Sequence, residues 1–252
     1  MSDGGPIQIL LPDWVIPGVD AGFTLRTGGV SQPPYDSLNL AMHVGDDPDD
    51  VRENRRRLVE HAGLPEEPRW LKQVHGNRVV HASKVERDVT EADAVWTDQP
   101  GQVCAVMVAD CVPILLAAKD GSCVAAIHAG WRGLAAGVIE ETVKAMSVPG
   151  QALAAAIGPC IGDEHYEVGP KVIDSLERGG ISIEIEEART TWNARFNLDL
   201  AAIANKQLDR LDTDRIHIAN CTYSTPKFWY SHRRDHTIGR FATTIYIETL
   251  TT

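Results

Sequence analysis

Residues 103–133 read VCAVMVADCVPILLAAKDGSCVAAIHAGWRG. Three apolar runs, 103–108, 114–118 and 122–127, have strand length and are separated only by turn residues. Lys119-Asp120-Gly121 between the second and third runs predicts a tight hairpin. Cys111 then lies at a strand end where Val112-Pro113 forces a turn, and His128 ends the second arm of the hairpin. After His128, glycines at 130 and 133 lead into a helix predicted over 134–146. Ala135, Ala136 and Gly137 on it would let it pack closely on a sheet.

Working outward, Asp49 is the expected cap of a helix over 51–62, with Gly63 at its C-terminal end. Its charges, RENRRR, mark a solvated face. Residues 79–82 form a further strand candidate, and ALAAAIGPCIG a strand-turn unit broken at Gly158-Pro159. Apolar residues recur at helical spacing over 168–178 and 197–211, and 241–247 is the last strand. Strands and helices interleave without a regular βαβ count, which predicts an α+β fold with mixed sheets. No repeat, low-complexity tract or long linker divides the chain, so residues 1–252 are expected to form a single domain.

Composition excludes several function classes. A formal net charge of -11 argues against a nucleic-acid binder, which needs a basic face to neutralise phosphate. No apolar run approaches the roughly 20 residues of a bilayer span, and the N-terminus lacks the pattern of a secretory signal. A cytoplasmic location is therefore expected. The five cysteines, 104, 111, 123, 160 and 221, show no CxxC spacing. They read as buried thiols, reactive thiols or ligands rather than a disulfide framework.

His75, in LKQVHGN, also sits beside a turn. Two imidazoles and a thiolate are donors that zinc or copper takes readily, and three protein ligands leave one coordination position free. No local spacing rule links His75, Cys111 and His128. Their convergence is expected because each lies at a strand terminus, where side chains gather at one sheet edge.

Nine strings occur in order: FTLRTGGVSQPPYDSLNLAMHVGDDPDDVRENRRRL, LKQVHG, ADAVWTDQPG, ADCVPILL, HAGWRG, IGPCIG with YEVG, FNLDL, CTYS and SHRRDHTIGR. Together they resemble the YfiH/laccase-domain family, whose members are described as purine nucleoside phosphorylases or polyphenol oxidases. The resemblance runs from about residue 20 to 247. It implies a four-layer α/β/β/α sandwich related to the catalytic domain of cytotoxic necrotizing factor. It also implies that His75, Cys111 and His128 bind the metal and carry catalysis. Zinc is the expected ion, because two His and one Cys suit its tetrahedral preference, with copper the alternative. At His236 the chain has RRDH where the family pattern carries glycine, which bears on the local turn.

The expected activity is phosphorolysis of adenosine, inosine or guanosine, extending to deamination of adenosine and cleavage of methylthioadenosine. The partners are thus a nucleoside and phosphate, with the oligomeric state left open. Arg26 in RTGG and Arg132 in HAGWRG, the latter at a helix N-terminus, are candidate anion contacts. Arg233, Arg234 and Arg240 crowd the C-terminal strings. His43 is a candidate substrate contact or a loop-packing histidine. Asp93 and Asp110 are candidate bases or partners that orient an imidazole, and for Asp110 orientation is favoured. Trp131 would stack on a purine or pack as a core indole. Three rivals stand beside this reading: a copper polyphenol oxidase, a thiol hydrolase with Cys111 as nucleophile acting on amides of peptidoglycan precursors, and a non-catalytic scaffold. The first normally uses several coppers and His-x-His ligands, and the chain has no His-x-His pair.

Overall fold

The hairpin is the centre of the molecule. In the computed structural model, which describes residues 5–182, 188–190, 195–218 and 220–249, Val112–Ala118 pairs antiparallel with Val124–Ala129. Gly121 turns the chain with φ +75°, and a Cβ there would fall 2.3 Å from the Pro17 carbonyl oxygen, so only glycine fits. Four further strands extend this sheet, in the order Asp214–His217, Leu153–Ile157, Val112–Ala118, Val124–Ala129, Ala94–Thr97, Val79–His81. The two outermost pairings are parallel and the rest antiparallel. A second, wholly antiparallel sheet runs Ile9–Leu10, Val19–Thr24, Phe241–Ile247, Cys104–Val108. A small sheet joins Ala188–Thr190, Phe196–Leu198 and Glu167–Val168.

Strand alternation sorts the apolar residues into layers. Leu115, Ala117, Val124 and Ala126 face the other sheet, packing with Phe23, Val106, Val108, Phe241 and Ile245. Ile114, Leu116, Ala125 and Ile127 face outward onto Leu134, Val138, Ile139, Leu176, Leu200 and Ile203. On the far side, Ala105, Met107, Ala242 and Tyr246 pack against Leu58 of the helix Pro48–Ala62 and against Trp70. The order is helix, sheet, sheet, helices: the α/β/β/α sandwich. Ile114, Leu115, Leu116 and Ile127 are wholly buried, and each such side chain contributes about 1.5–3 kcal/mol. No helix among the described residues is long and apolar enough to cross a membrane.

Several boundaries differ from the sequence expectation. The first long helix starts at Pro48 and is capped by Asp47, whose carboxylate accepts from the Asp49 N–H at 2.8 Å. Proline at the first helical position explains the earlier start, and Asp49 becomes a first-turn acid. The helix expected over 134–146 is two, Trp131–Ala135 and Val138–Met146, because Gly137 takes the left-handed conformation between them. Pro170 and Asp199 likewise delay their helices to Pro170–Arg178 and Leu200–Arg210, leaving Glu167–Val168 and Phe196–Leu198 as strands. The first hairpin arm begins two residues earlier than expected, at Val112, so that Val112-Pro113 is strand rather than turn. The second arm is shifted two residues onward, which carries His128 inside its strand.

Gly158, at the end of Leu153–Ile157, abuts the fully buried Phe23 of the other sheet, and a Cβ there would fall 2.1 Å from the ring. Gly158→Ala should therefore destabilise the sandwich by about 1–3 kcal/mol through overpacking. Urea denaturation measures this, and an unchanged midpoint would contradict the packing described.

Candidate metal centre

Register brings two of the candidate ligands together. Pro113 pairs with His128 and Val112 with Ala129, so Cys111 and His128 emerge at the same end of adjacent antiparallel strands. Gly130 lies against Cys111 and His75: a Cβ there would sit 3.0 Å from Cys111 Sγ and 3.2 Å from the His75 ring. His75 arrives on the loop before Val79–His81. That loop is docked by Gln73, whose amide exchanges two 2.8 Å hydrogen bonds with the backbone of Met107.

Asp93 closes the arrangement. Wholly buried, it accepts from His128 Nδ1 at 2.8 Å and from three consecutive backbone N–H groups, those of Val74, His75 and Gly76, at 3.3, 2.9 and 2.7 Å. His75 adopts φ +60°, which lets the loop wrap the carboxylate. The Asp93 carbonyl accepts from the His128 N–H at 2.7 Å. Burial alone would raise the Asp93 pKa, but His128 and these N–H groups hold it below the usual carboxylate value. The bond from Nδ1 leaves His128 Nε2 for the cluster.

The donor atoms of His75, Cys111 and His128 all lie within 4.8 Å of one another, and the imidazole rings meet edge to face at 4.7 Å. Tetrahedral zinc, with bonds of about 2.0–2.3 Å, holds its ligand atoms roughly 3.3–3.7 Å apart, so small side-chain adjustments suffice. The residues fit one metal ion. Without it, burial pushes the Cys111 thiol up, but His128 and His75 outweigh this and bring it down to about 6. Burial lowers His128, yet the thiolate and Asp93 prevail and raise it to about 9. The metal-free cluster is thus a thiolate–imidazolium pair, whose shared proton a metal would replace.

The cluster opens onto a cavity of about 350 Å³. Met107, Trp131 and Tyr166 supply apolar surface, and Arg132, Arg233 and Arg240 supply charge. His43 and His232 also line it. Burial and then Arg240 lower the pKa of His43, favouring the neutral ring. Arg132 is exposed and lies 4.3 Å over the Trp131 ring. Its helix is only five residues long, so the expected dipole contribution is small, and the side chain itself is what faces the cavity.

Two candidates are used differently. Arg26 does not line the cavity: its guanidinium donates to the Asp36 and Pro226 carbonyls, pairs with the Asp36 carboxylate and covers the Tyr230 ring. It fastens loops and has no free face for an anion. Asp110 lines the cavity but orients no imidazole, because Thr222 Oγ1 and the Arg233 N–H occupy its oxygens at 2.7 and 2.6 Å. Those bonds steady a backbone held at φ +91° next to Cys111. Orientation of His128 falls to Asp93. His236 takes φ +57°, a conformation glycine adopts freely, and its carbonyl accepts from His232 Nδ1. Sequence reasoning missed Gln73, Tyr166 and His232 as cavity residues and left Arg240 without a role. Gln73 and Arg240 stand inside the QVHG and IGR strings, which was the available signal.

Residues 20–248 match the family model described as multi-copper polyphenol oxidoreductase laccase. The chain belongs to this YfiH/laccase-domain family. A Shigella flexneri member, named purine nucleoside phosphorylase YfiH, is 41% identical over 95% of this chain and 99% of its own. A Pseudomonas aeruginosa member, also named a purine nucleoside phosphorylase, is 44% identical over 95% and 98%. Among solved structures, a Neisseria meningitidis protein superposes with a TM-score of 0.88 at 38% identity, covering 96% of this chain and 99% of that one. YlmD from Geobacillus stearothermophilus superposes with a TM-score of 0.86 at 34% identity, covering 93% of each.

The ionised Cys111 gives this member of the YfiH/laccase-domain family a testable pH signature. In metal-free protein, iodoacetamide labelling of Cys111, followed by mass spectrometry, should rise with pH through a midpoint near 6. A midpoint near that of an ordinary thiol, about 8.5, would contradict the thiolate–imidazolium pairing.

Proposed function

We propose that the chain is a zinc-dependent purine nucleoside phosphorylase acting on adenosine, inosine and guanosine, and extending to methylthioadenosine. One observation carries the reading: a three-donor His–Cys–His cluster and a set of arginines share a single cavity. The names of relatives that are 41% and 44% identical over nearly their whole length support it. A volume of about 350 Å³ is at the small end of ligand sites, roughly 300–1,000 Å³, and suits a monomeric substrate rather than a polymer.

In phosphorolysis a phosphate oxygen forms a bond to C1′ of the ribose while the bond from C1′ to the purine nitrogen breaks. The base departs with a proton and ribose 1-phosphate remains. His75, Cys111 and His128 would hold the zinc, which when bound supplies Lewis acidity at an open position. Asp93 fixes the His128 tautomer, and Asp110 holds the Arg233 backbone in place. Arg132, Arg233 and Arg240 offset the charge of the phosphate. Trp131 and Tyr166 offer ring faces to a base, and His43, kept neutral, can hydrogen bond at the cavity wall. Adenosine in the same cavity would also be open to water at C6, which is the deamination reading. Five free cysteines suit a reducing cytoplasm.

A second reading has its own support. Asp93, His128 and Cys111 align as carboxylate, imidazole and thiolate, the order of a thiol hydrolase. The family's polyphenol oxidase description keeps copper in view. Reducing dioxygen to water takes four electrons, however, and among the described residues the three-donor cluster is the one group suited to a metal.

Product analysis separates these readings. Zinc-loaded and chelated protein would be incubated with adenosine, with and without phosphate. The reading predicts adenine and ribose 1-phosphate only with phosphate, lost on chelation and restored by zinc. Inosine formed without phosphate would instead establish deamination. Amide hydrolysis that survives chelation would establish the thiol mechanism, and no nucleoside turnover by the zinc form would overturn the phosphorylase reading.

A further inference from the structure

We propose that Arg240 anchors a phosphate subsite beside the His75–Cys111–His128 cluster, its preset guanidinium receiving the phosphate oxygens. The inference deepens the phosphorylase reading and rests on it for the identity of the co-substrate.

The arginines of the C-terminal strings divide by how their donors are used. Arg234 gives its guanidinium to the Thr222, Tyr223 and Trp229 carbonyls and to Asp235. Arg26 is spent on Asp36 and Pro226. Arg240 differs: it lines the cavity, is only partly exposed, and has no carboxylate partner among the described residues. Its Nη1 donates to the Ile238 and Gly239 carbonyls at 2.9 and 3.0 Å, which sets the plane of the group. Its Nε and Nη2 have no protein acceptor among the described residues.

The backbone beneath it is fixed just as firmly. The Arg240 N–H donates to Asn39 Oδ1 at 2.9 Å, its carbonyl accepts from Leu40 N–H at 3.2 Å, and Asn39 is wholly buried. Gly239 lies so close to Tyr230 and Asn39 that a Cβ would fall 2.8 and 2.9 Å from them. The guanidinium is therefore positioned and partly desolvated before any ligand arrives, the condition under which a planar donor fork binds an oxyanion best.

The electrostatic setting favours the same ligand. Among the described residues Asp110 is the one carboxylate lining the cavity, and its oxygens are already engaged. Arg233 joins from the side, with one nitrogen on the Glu167 carbonyl and its guanidinium 4.7 Å from the centre of the Tyr166 ring. Arg132 joins from above Trp131. A chain of net charge -11 repels anions at long range, so a local cluster of cations is needed to hold one. The ligand chemistry is a phosphate group, either free inorganic phosphate or the phosphoryl group of a phosphorylated nucleoside.

The test compares wild type with Arg240→Met and Arg240→Lys, using Arg56→Ala on the remote helix Pro48–Ala62 as control. Binding of inorganic phosphate and of adenosine 5′-monophosphate is measured calorimetrically on folded, zinc-loaded protein, and phosphate is varied in inosine phosphorolysis. Arg240→Met should weaken phosphate binding and raise the phosphate KM about 10- to 100-fold, the loss of one or two charge-assisted hydrogen bonds. The inosine KM should stay within about twofold, with Arg240→Lys intermediate because it keeps the charge and loses the fork. Arg240-dependent binding of the monophosphate but not of inorganic phosphate would assign the subsite to a phosphorylated nucleoside. Arg240-dependent phosphate binding without phosphorolysis would overturn the phosphorylase reading and leave the subsite standing. Phosphate affinity and KM unchanged in both Arg240 variants, or no binding of either ligand by wild type, would overturn the proposal itself.

Discussion

A single buried carboxylate organises this site. Asp93 reaches the edge of the imidazole that ends one hairpin arm and the three successive N–H groups of the loop carrying the other imidazole. Hydrogen bonds to a charged acceptor contribute about 1.5–3 kcal/mol each, and an unsatisfied carboxylate at this depth would cost several kcal/mol. The cluster and the loop are therefore stable only together. Removing the charge would release both the tautomer of His128 and the left-handed turn at His75, so geometry and ligand basicity share one origin.

The sandwich explains why Asp93 can act on both partners. It directly precedes the strand Ala94–Thr97, which pairs Ala94 with Ile127 and so lies beside the His128 end of the hairpin. Cys111 precedes the neighbouring strand on its other side. Three chain segments thus meet at one end of the larger sheet, and Gly130 leaves the space in which thiolate and imidazole meet. Of the cavity's arginines, Arg132 follows the hairpin directly, while Arg233 and Arg240 come from elsewhere, the approach to Phe241–Ile247 in the four-stranded sheet. The chemistry accordingly lies where the two sheets' ends adjoin.

Much of this was legible in the chain. Apolar run lengths and Lys119-Asp120-Gly121 marked the hairpin, and strand ends beside turns marked His75, Cys111 and His128 as residues able to converge. The family strings carried the four-layer order, which apolar periodicity alone did not. What escaped was decided by competition among hydrogen bonds between distant segments. Arg26 has the glycine-flanked look of an anion contact, but the Asp36 and Pro226 carbonyls consume its donors. Asp110 and Asp93 look equivalent in sequence, yet Thr222 and Arg233 claim one while the His75 loop claims the other. Three helix starts moved to a proline or an acid cap: Pro48 after Asp47, Pro170, and Leu200 after Asp199.

The central claim is that Asp93 draws His75, Cys111 and His128 into one three-ligand metal centre. Anomalous diffraction at the zinc edge from crystals of zinc-loaded wild type and of Asp93→Asn tests it most directly. The account predicts one peak in wild type, about 2.0–2.1 Å from an imidazole nitrogen of each histidine and about 2.3 Å from Cys111 Sγ, and weakened or absent in the variant. A metal bound without Cys111, or a wild-type peak undiminished by Asp93→Asn, would contradict it.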